Sequence, residues 1–110
     1  MAKFVRGDVI VVPFPFSDLS TAKRRPALVL TALEGDDLIL CQITSKATKD
    51  AYAIPLENQD FAEGGLRQSS NIRPNRIFTA DIHIVLYKIG HIKSEKLNEV
   101  TDKVISIIKS

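Results

Sequence analysis

Short hydrophobic runs alternate with turn-forming sequence along most of this chain, a pattern typical of a protein built from many β-strands. The runs cover residues 9–12, 26–31, 38–43, 51–56, 71–73, 76–81 and 87–92. They are rich in β-branched and aliphatic residues, and turn sequences such as residues 34–37 and 63–65 separate them. Strands this short and this closely spaced favour a closed or half-closed sheet. The pattern therefore predicts a small β-barrel.

The C-terminal segment follows a helical pattern instead. Its apolar residues recur at helical spacing: Leu97, Val100, Val104, Ile107 and Ile108. Ser94 is the predicted N-cap, and Glu95 lies in the first turn, where an acidic side chain is favourable. We expect one amphipathic helix packed on the barrel, with residues 1–110 forming a single, mainly β domain.

Composition limits the class of protein. The chain has 110 residues, enough to bury a core without disulfides, and its formal net charge of +2 is too small for binding nucleic acid by charge alone. The single cysteine, Cys41, lies in an apolar run and is predicted to be a small buried hydrophobe. The sequence has no run of transmembrane length and no signal-peptide pattern. We therefore expect a soluble, cytoplasmic protein.

Basic residues are clustered rather than evenly spread. They gather in three groups: Lys23, Arg24 and Arg25; Lys46 and Lys49; and Arg67, Arg73 and Arg76. Adjacent cations repel one another and are stabilised by an anion, although such a cluster is more often a solvated turn. If the loops that carry these groups converge, they form a positive groove suited to a phosphate backbone.

The motifs of common metal and cofactor enzymes are missing from the sequence. It has no Cys and His residues at zinc spacing, no glycine-rich phosphate loop and no nucleophile elbow, so no cofactor or metal is expected. What remains is a set of cations with hydroxyls and amides nearby. These groups suit phosphoryl transfer on a substrate that supplies its own nucleophile. RNA is such a substrate, because its 2′-hydroxyl can attack the adjacent phosphorus.

Several of these segments together resemble a known family, the MazF/PemK toxins of bacterial toxin–antitoxin systems, which are small ribonucleases that cut messenger RNA. The matching pieces, in order, are Gly7-Asp8-Val9 followed by Pro13-Phe14-Pro15, residues 24–30, Ile43-Thr44-Ser45, Ser70-Asn71-Ile72-Arg73, and Ile77-Phe78-Thr79. They span nearly the whole chain in the family's order and spacing. The loop after Phe16 is most similar to the PemK-like branch.

The resemblance implies a fold and a set of site residues. The fold would be the small SH3-like barrel shared by CcdB and MazF. Arg25 would stabilise charge in the transition state and could donate a proton to the leaving 5′-oxygen, and Thr44 would bind the scissile phosphate. The other implied RNA-binding residues are Lys23, Arg24, Ser45, Lys46, Arg73, Asn75 and Arg76.

One position departs from the family pattern. In one branch an Arg and an Asp two residues apart act as acid and base, and these positions fall on Arg73 and Asn75. An Asn amide cannot accept a proton at neutral pH. Arg25 and Thr44 could act without that base. Otherwise the base could be His83, His91, Asp81 or Asp18, or the protein could bind RNA and cut it slowly or not at all.

The resemblance also implies partners. Family members are homodimers with a shared RNA groove, and an antitoxin with a disordered tail silences them by folding along that groove. Two alternatives from other classes stay open. One is a protein-binding module like the gyrase poison that shares the fold, which would act through its C-terminal helix. The other is a noncatalytic barrel that binds RNA or peptide, an alternative that Asn75 favours.

Overall fold

The computed structural model describes residues 3–14, 23–45 and 50–110 of the chain. Lys46, Lys49 and Asp18 lie outside these ranges. Within them the strands are β1 (Asp8–Phe14), β2 (Lys23–Ala32), β3 (Asp37–Thr44), β4 (Ile54–Leu56), β5 (Phe61–Gly64), β6 (Ser70–Asp81) and β7 (Tyr87–Ile92). The same described ranges contain one α-helix, α1 (Ser94–Lys109), which follows β7, and two 3₁₀ turns, Asn58–Asp60 and Ile82–Ile84.

The strands form one curled antiparallel sheet in the order β4-β6-β3-β2-β1-β7-β5. The prediction of a mainly β, barrel-like fold with a C-terminal helix is confirmed. The central strands β1, β2 and β3 follow one another in the chain and pair with their neighbours over most of their length. This arrangement brings the C-terminal end of β3 beside the N-terminal end of β2.

Both faces of the sheet are buried at its centre. One face, which we call the helix face, carries Leu28 and Ile43 and packs against Leu97 and Val100 of α1. The other, which we call the far face, carries residues such as Ala27 and packs against the 3₁₀ turn Ile82–Ile84. Side chains alternate along a strand, so a strand buried on both faces has a continuous apolar run, as the sequence predicts for residues 26–31 and 38–43.

Strand β6 contains an insertion relative to β3. Cys41 pairs with Ile77 and Gln42 pairs with Arg73, so the residues between Arg73 and Ile77 have no partner in β3. The inserted residues are Pro74, Asn75 and Arg76. The two strands predicted at residues 71–73 and 76–81 are therefore a single strand with a bulge, a device that re-aims side chains at the edges of functional sites.

Three other details of the sequence prediction are wrong. Residues 51 and 52 form a turn, and β4 is confined to Ile54–Leu56. The predicted turn at residues 63–65 is partly the strand β5, because Gly64 adopts a φ of +70° and still pairs with Gly90 of β7. Lys93, rather than Ser94, occupies the N-cap of α1. Ser94 is the first residue of the helix, so its hydroxyl does not serve the predicted capping role.

Cys41 is fully buried, as predicted. Burial raises the pKa of its thiol to about 12, since the thiolate would lose its hydration in the apolar core. The side chain therefore acts as a packing group rather than as a nucleophile. In the described part of the chain, no helix is both long enough and apolar enough to cross a membrane.

Gly64 and Gly35 provide a matched test of the backbone at β5. Both have a positive φ, but a Cβ at Gly64 would lie 2.0 Å from the carbonyl oxygen of Ile89, whereas a Cβ at Gly35 would meet no atom within 4 Å. We expect Gly35→Ala to lower the free energy of unfolding by about 1 kcal/mol, the cost of the left-handed conformation alone. Gly64→Ala should cost clearly more, because β5 must also move away from β7. Urea unfolding curves measure both, and equal losses would contradict the close approach of β5 and β7.

Candidate nucleic-acid interface

The two predicted catalytic residues lie at the same end of neighbouring strands. In β2 and β3 the last hydrogen-bonded pair towards this end is Ala27 with Gln42. The same register extended by two residues sets Arg25 across from Thr44. Both side chains are half-buried. Residues opposite each other in an antiparallel pair have Cβ atoms about 5 Å apart, which brings a guanidinium and a hydroxyl within reach of one phosphate.

Strand pairing also shows which face these side chains occupy. Arg25 pairs with Val12, a core residue of the far face, and directly opposed residues share a face. Thr44 pairs with Asn71 and follows Ile43, which packs on the helix face. Because side chains alternate, Arg25, Thr44 and Asn71 form a polar row across three strands on the far face.

A groove of about 370 Å³ opens beside the same strand ends but on the helix face, because its lining residues Ile43 and Ser45 alternate with Thr44 along the chain. Its walls carry three basic residues, Arg24, Arg25 and Arg67, together with the hydroxyl-bearing Ser45 and the ring of Tyr87. Apolar residues complete the walls: Val11, Pro26, Ile43, Leu66 and Ile89. Of the three basic groups in the sequence, Arg24 and Arg25 of one and Arg67 of another therefore line the groove, whereas Arg73 and Arg76 do not. Gly65, Leu66, Gln68 and Tyr87 carried no site prediction, and only the fold brings them here.

The remaining predicted RNA-binding residues are divided between this end of the sheet and the β6 insertion. Lys23 begins β2 and is exposed. Asn75 and Arg76 lie in the insertion and are also exposed. Arg73 pairs with Gln42 and is half-buried, one step inward from the row of Arg25 and Thr44. The predicted contact Lys46 is outside the described residues.

Arg73 is held by a carboxylate that no sequence motif singled out. Its Nη2 and Nε atoms donate hydrogen bonds to Asp50 Oδ2 over 3.0 and 3.3 Å. The Asp50 side chain is only 10% exposed. A hydrogen bond from the backbone N–H of Tyr52 lowers the pKa of Asp50 most, and hydrogen bonds from the side chains of Arg73 and Asn75 lower it further. Asp50 therefore keeps its negative charge beside Asn75.

Residues 5–108 of the chain match the family model of PemK-like, MazF-like toxins of type II toxin–antitoxin systems. The chain belongs to this family. The resemblance identified from its motifs is thus confirmed. Comparison with curated protein sequences gives no match.

Solved structures of toxins have the same fold. A MazE–MazF structure (form II) from Deinococcus radiodurans superposes with a TM-score of 0.78 and 21% identity, over 99% of this chain and 98% of that one. An endoribonuclease in complex with its cognate antitoxin from a mycobacterial species superposes with a TM-score of 0.77 and 11% identity, over 97% of this chain and 96% of that one. The Mycobacterium tuberculosis toxin MazF-mt6 superposes with a TM-score of 0.69 and 17% identity, over 93% of this chain and 96% of that one. Identities this low show a shared fold.

In this member of the toxin family both histidines lie away from Arg25 and Thr44. His91 Nδ1 is 2.8 Å from Oδ1 of the buried Asp8, four residues before Val12, or about 13 Å along β1. His83 contacts Asp81, which pairs with Asp37 at the opposite end of β3 from Thr44, about 23 Å away along the strand. Neither His nor Asp81 is therefore near the polar row.

One group of potential metal ligands lies among the described residues. Asp36, Asp81 and His83 are all exposed, and their ligand atoms lie within 4.8 Å of one another. The group belongs to the same distant end of β3. Hydrogen bonds from His83, first from its backbone N–H and then from its ring, lower the pKa of Asp81. The pair of Asp81 and His83 thus closes the 3₁₀ turn that covers the far-face core.

Asp8 binds the start of β1 to β7 in this toxin and should be needed for stability. Its buried carboxylate accepts a 2.9 Å hydrogen bond from the N–H of Val5 and lies 3.3 Å from Lys88 Nζ, besides contacting His91. We expect Asp8→Asn to lower the free energy of unfolding by about 2 kcal/mol, less than for a fully buried ion pair, since its partners are partly in water. Urea unfolding measures this loss. The exposed control Asp37→Asn should change stability by less than about 0.5 kcal/mol.

The same variant makes a prediction about pH. Hydrogen bonds to Glu63, and then to Asp8, raise the pKa of Lys88. A raised pKa stabilises the fold below the unfolded value, and this stabilisation is lost as pH rises through the folded value. The difference in stability between wild type and Asp8→Asn should therefore shrink on going from pH 8 to pH 11. A difference that grows with pH would contradict the role of Lys88.

Proposed function

We propose that this protein is a sequence-selective, metal-independent endoribonuclease toxin that cuts single-stranded messenger RNA in the cytoplasm. The 2′-hydroxyl attacks the adjacent phosphorus, and the products are a 2′,3′-cyclic phosphate and a free 5′-hydroxyl. The observation that carries the proposal is the alignment of Arg25 and Thr44 across β2 and β3, in a chain that belongs to a toxin family. The endoribonuclease function named for similar solved structures supports it.

Within the polar row, Arg25 and Thr44 each have a task that suits their chemistry. Negative charge builds on the phosphorane oxygens in the transition state, and the Arg25 guanidinium would stabilise that charge with planar, permanently charged donors. The Thr44 hydroxyl would donate a hydrogen bond to a phosphate oxygen and fix the scissile group against Arg25. No cofactor is needed, because the nucleophile belongs to the substrate.

The groove on the helix face suits a single strand of RNA, which would pass round the ends of β2 and β3 to bring its scissile phosphate to Arg25 and Thr44 on the far face. Arg24 and Arg67 would contact phosphates, and the exposed ring of Tyr87 provides a stacking surface for an unpaired base. Duplex RNA keeps its bases stacked inside the helix, out of reach of such a ring. We therefore infer that the substrate is single-stranded and that base preference comes from this groove.

We further propose that an antitoxin covers this groove and that the toxin is a homodimer. Basic residues among apolar ones would attract a peptide that carries both carboxylates and hydrophobic side chains. Similar solved toxins are described in complexes with MazE or a cognate antitoxin, which supports this partner. Ile105 and Ile108 of α1 are exposed apolar residues and offer surface for such contacts.

Cleavage should depend on Arg25 and Thr44 and should survive chelation. We expect the purified protein to cut a defined single-stranded RNA in excess EDTA, leaving a 2′,3′-cyclic phosphate detectable by mass spectrometry. Arg25→Ala and Thr44→Ala should each lower the cleavage rate by about 100-fold or more, because each removes a donor that acts in the transition state. A DNA strand of the same sequence should stay intact, since it lacks the 2′-hydroxyl.

Two matched variants separate a local effect from a general one. Arg6→Ala and Thr79→Ala remove the same side-chain types, one before β1 and the other from the exposed surface of β6, and should cut at the wild-type rate. Intact RNA with wild-type protein would favour the noncatalytic RNA- or protein-binding alternative. Cleavage that stops in EDTA and returns with a divalent cation would overturn the metal-independent mechanism.

A further inference from the structure

Building on the proposed ribonuclease function, we propose that Asp50 is the general base that takes the proton from the 2′-hydroxyl. It supplies the carboxylate that Asn75 cannot. Asp50 comes from the segment between β3 and β4, far in sequence from Asn75, and nothing in the linear motifs indicates it. The proposal rests on the contacts of its side chain, its burial and its position relative to Thr44.

The first observation is the set of contacts around the carboxylate. Asp50 Oδ2 accepts both hydrogen bonds from Arg73, and the nearby Asn75 side chain helps to lower the pKa of Asp50. Asp50 is thus paired with the first residue of the Arg-x-Asn sequence and influenced by the last. A branch of the family uses an Arg and an Asp at these positions as its acid–base pair. Here the carboxylate is present in the same cluster but belongs to residue 50.

The second observation is the strand register that relates Arg73, the partner of Asp50, to Thr44. Arg73 pairs with Gln42, and Asn71 pairs with Thr44, so Arg73 is the diagonal neighbour of Thr44 on the far face. Diagonal neighbours in an antiparallel pair are about 7–8 Å apart, within reach of long side chains. The strand register thus puts Arg73 next to the row of Arg25 and Thr44, and we infer that the Asp50 carboxylate, paired with the Arg73 guanidinium, is within reach of a phosphate bound there.

The third observation is the state of the carboxylate. Arg73 is 20% exposed and Asp50 is 10% exposed, so both are largely removed from solvent but not sealed from it. The backbone N–H of Tyr52 donates a further hydrogen bond of 2.9 Å to Asp50 Oδ1. These donors keep Asp50 ionised and fix its orientation before the substrate binds. The same hydrogen bonds lower its affinity for a proton, which limits the rate that it can support as a base.

The proton balance of the step is simple. Asp50 takes the proton of the 2′-hydroxyl while the 2′-oxygen forms a bond to phosphorus. The bond from phosphorus to the 5′-oxygen then breaks, and the leaving oxygen takes a proton from water. The proton held on Asp50 returns to the hydroxide that remains, so the enzyme ends in its starting state.

Rate measurements on substitutions at residue 50 test the proposal. We expect Asp50→Asn to lower the single-turnover rate of RNA cleavage by about 100-fold or more, the typical contribution of a general base. Its affinity for a noncleavable strand with 2′-O-methyl groups should stay at the wild-type value, because the side-chain oxygen of the introduced asparagine can still accept a hydrogen bond from Arg73. Asp50→Ala should be similarly slow and should regain activity when formate is added, since formate can occupy the vacated space and accept the proton.

Rescue by small acids of different basicity separates a base from a structural role. If the added acid accepts the proton, the rescued rate should rise with its basicity from formate to acetate, whereas an acid that only pairs with Arg73 should restore the same rate whatever its basicity. Asp50→Glu keeps the charge and the pair with Arg73, so it provides a folded variant if the neutral ones are unstable, and we expect it to cut slowly but measurably. Asp37→Asn removes an exposed carboxylate at the other end of β3 and should leave cleavage unchanged.

Substitution of Asn75 gives an independent prediction. Asn75→Asp would replace a hydrogen-bond donor to Asp50 by a second negative charge, and adjacent carboxylates disfavour each other's ionisation. We therefore expect no gain in cleavage rate from this change. A large gain would mean that residue 75 lacked the base and would overturn the role of Asp50.

The outcomes distinguish this proposal from the one on which it rests. If wild type cuts RNA, Arg25→Ala does not, and Asp50→Asn cuts at the wild-type rate, then Asp50 is not the base and the ribonuclease function stands. If wild type leaves RNA intact, both proposals fail. Loss of cleavage in Asp50→Asn with unchanged RNA affinity, together with rescue of Asp50→Ala that rises with the basicity of the added acid, supports both.

Discussion

The abrupt change from apolar to charged sequence at the ends of the central strands is the constraint on which the structure depends. In β2 the side chains of residues 27–30 are buried on both faces of the sheet. Arg24 and Arg25 stand only three and two positions before Ala27. If β2 slid along its neighbours by two residues, Arg25 would enter the far-face core and Leu30 would leave the helix-face core. Burying an unpaired guanidinium costs several kcal/mol, so the pairing register is fixed. The position of Arg25 opposite Thr44 is thus a consequence of core packing.

The polar groups of the site lie on two different kinds of backbone. Arg25, Thr44 and Asn71 stand on paired strands, where core packing on either side holds their backbones. Asn75 and Arg76 stand in the β6 insertion, which leaves the β3 ladder for three residues and returns at Ile77. The first set is suited to chemistry that needs fixed distances. The second can vary in sequence without disturbing the sheet, because its residues make no ladder pairs with β3.

Much of the fold follows from sequence because its signal is local. The period-2 and continuous apolar runs identify β1, β2, β3 and β7, and the spacing of Leu97 and Val100 identifies the buried side of α1. The sequence does not predict β5, because Gly64 and Gly65 are typical of a turn. In the structure, a glycine at position 64 lets β5 approach β7 closely. The joining of two predicted strands into β6 was missed because Pro74 looks like a strand end; the bulge accommodates its missing N–H.

The residues of the site are harder to predict from the sequence than the strands of the fold. Family motifs identify Arg25 and Thr44, and the register then shows why residues nineteen positions apart belong together. Asp50 carries no such signal, because it precedes a turn and its partners Arg73 and Asn75 are more than twenty residues away. Only the pairing of β3 with β6 brings them together. Tyr87 is a similar case, since the groove it shares with Arg24 and Arg67 is built by strands from both halves of the chain.

The outermost strands limit how copies of this protein can associate. An unpaired strand edge exposes backbone donors and acceptors that can template another chain. Here β4 has three residues, one of which is Pro55 with no N–H to donate, and β5 has four. A second copy would gain few main-chain hydrogen bonds by pairing with β4 or with β5. These two short strands therefore offer little template for the open-ended growth of fibres from an otherwise apolar sheet.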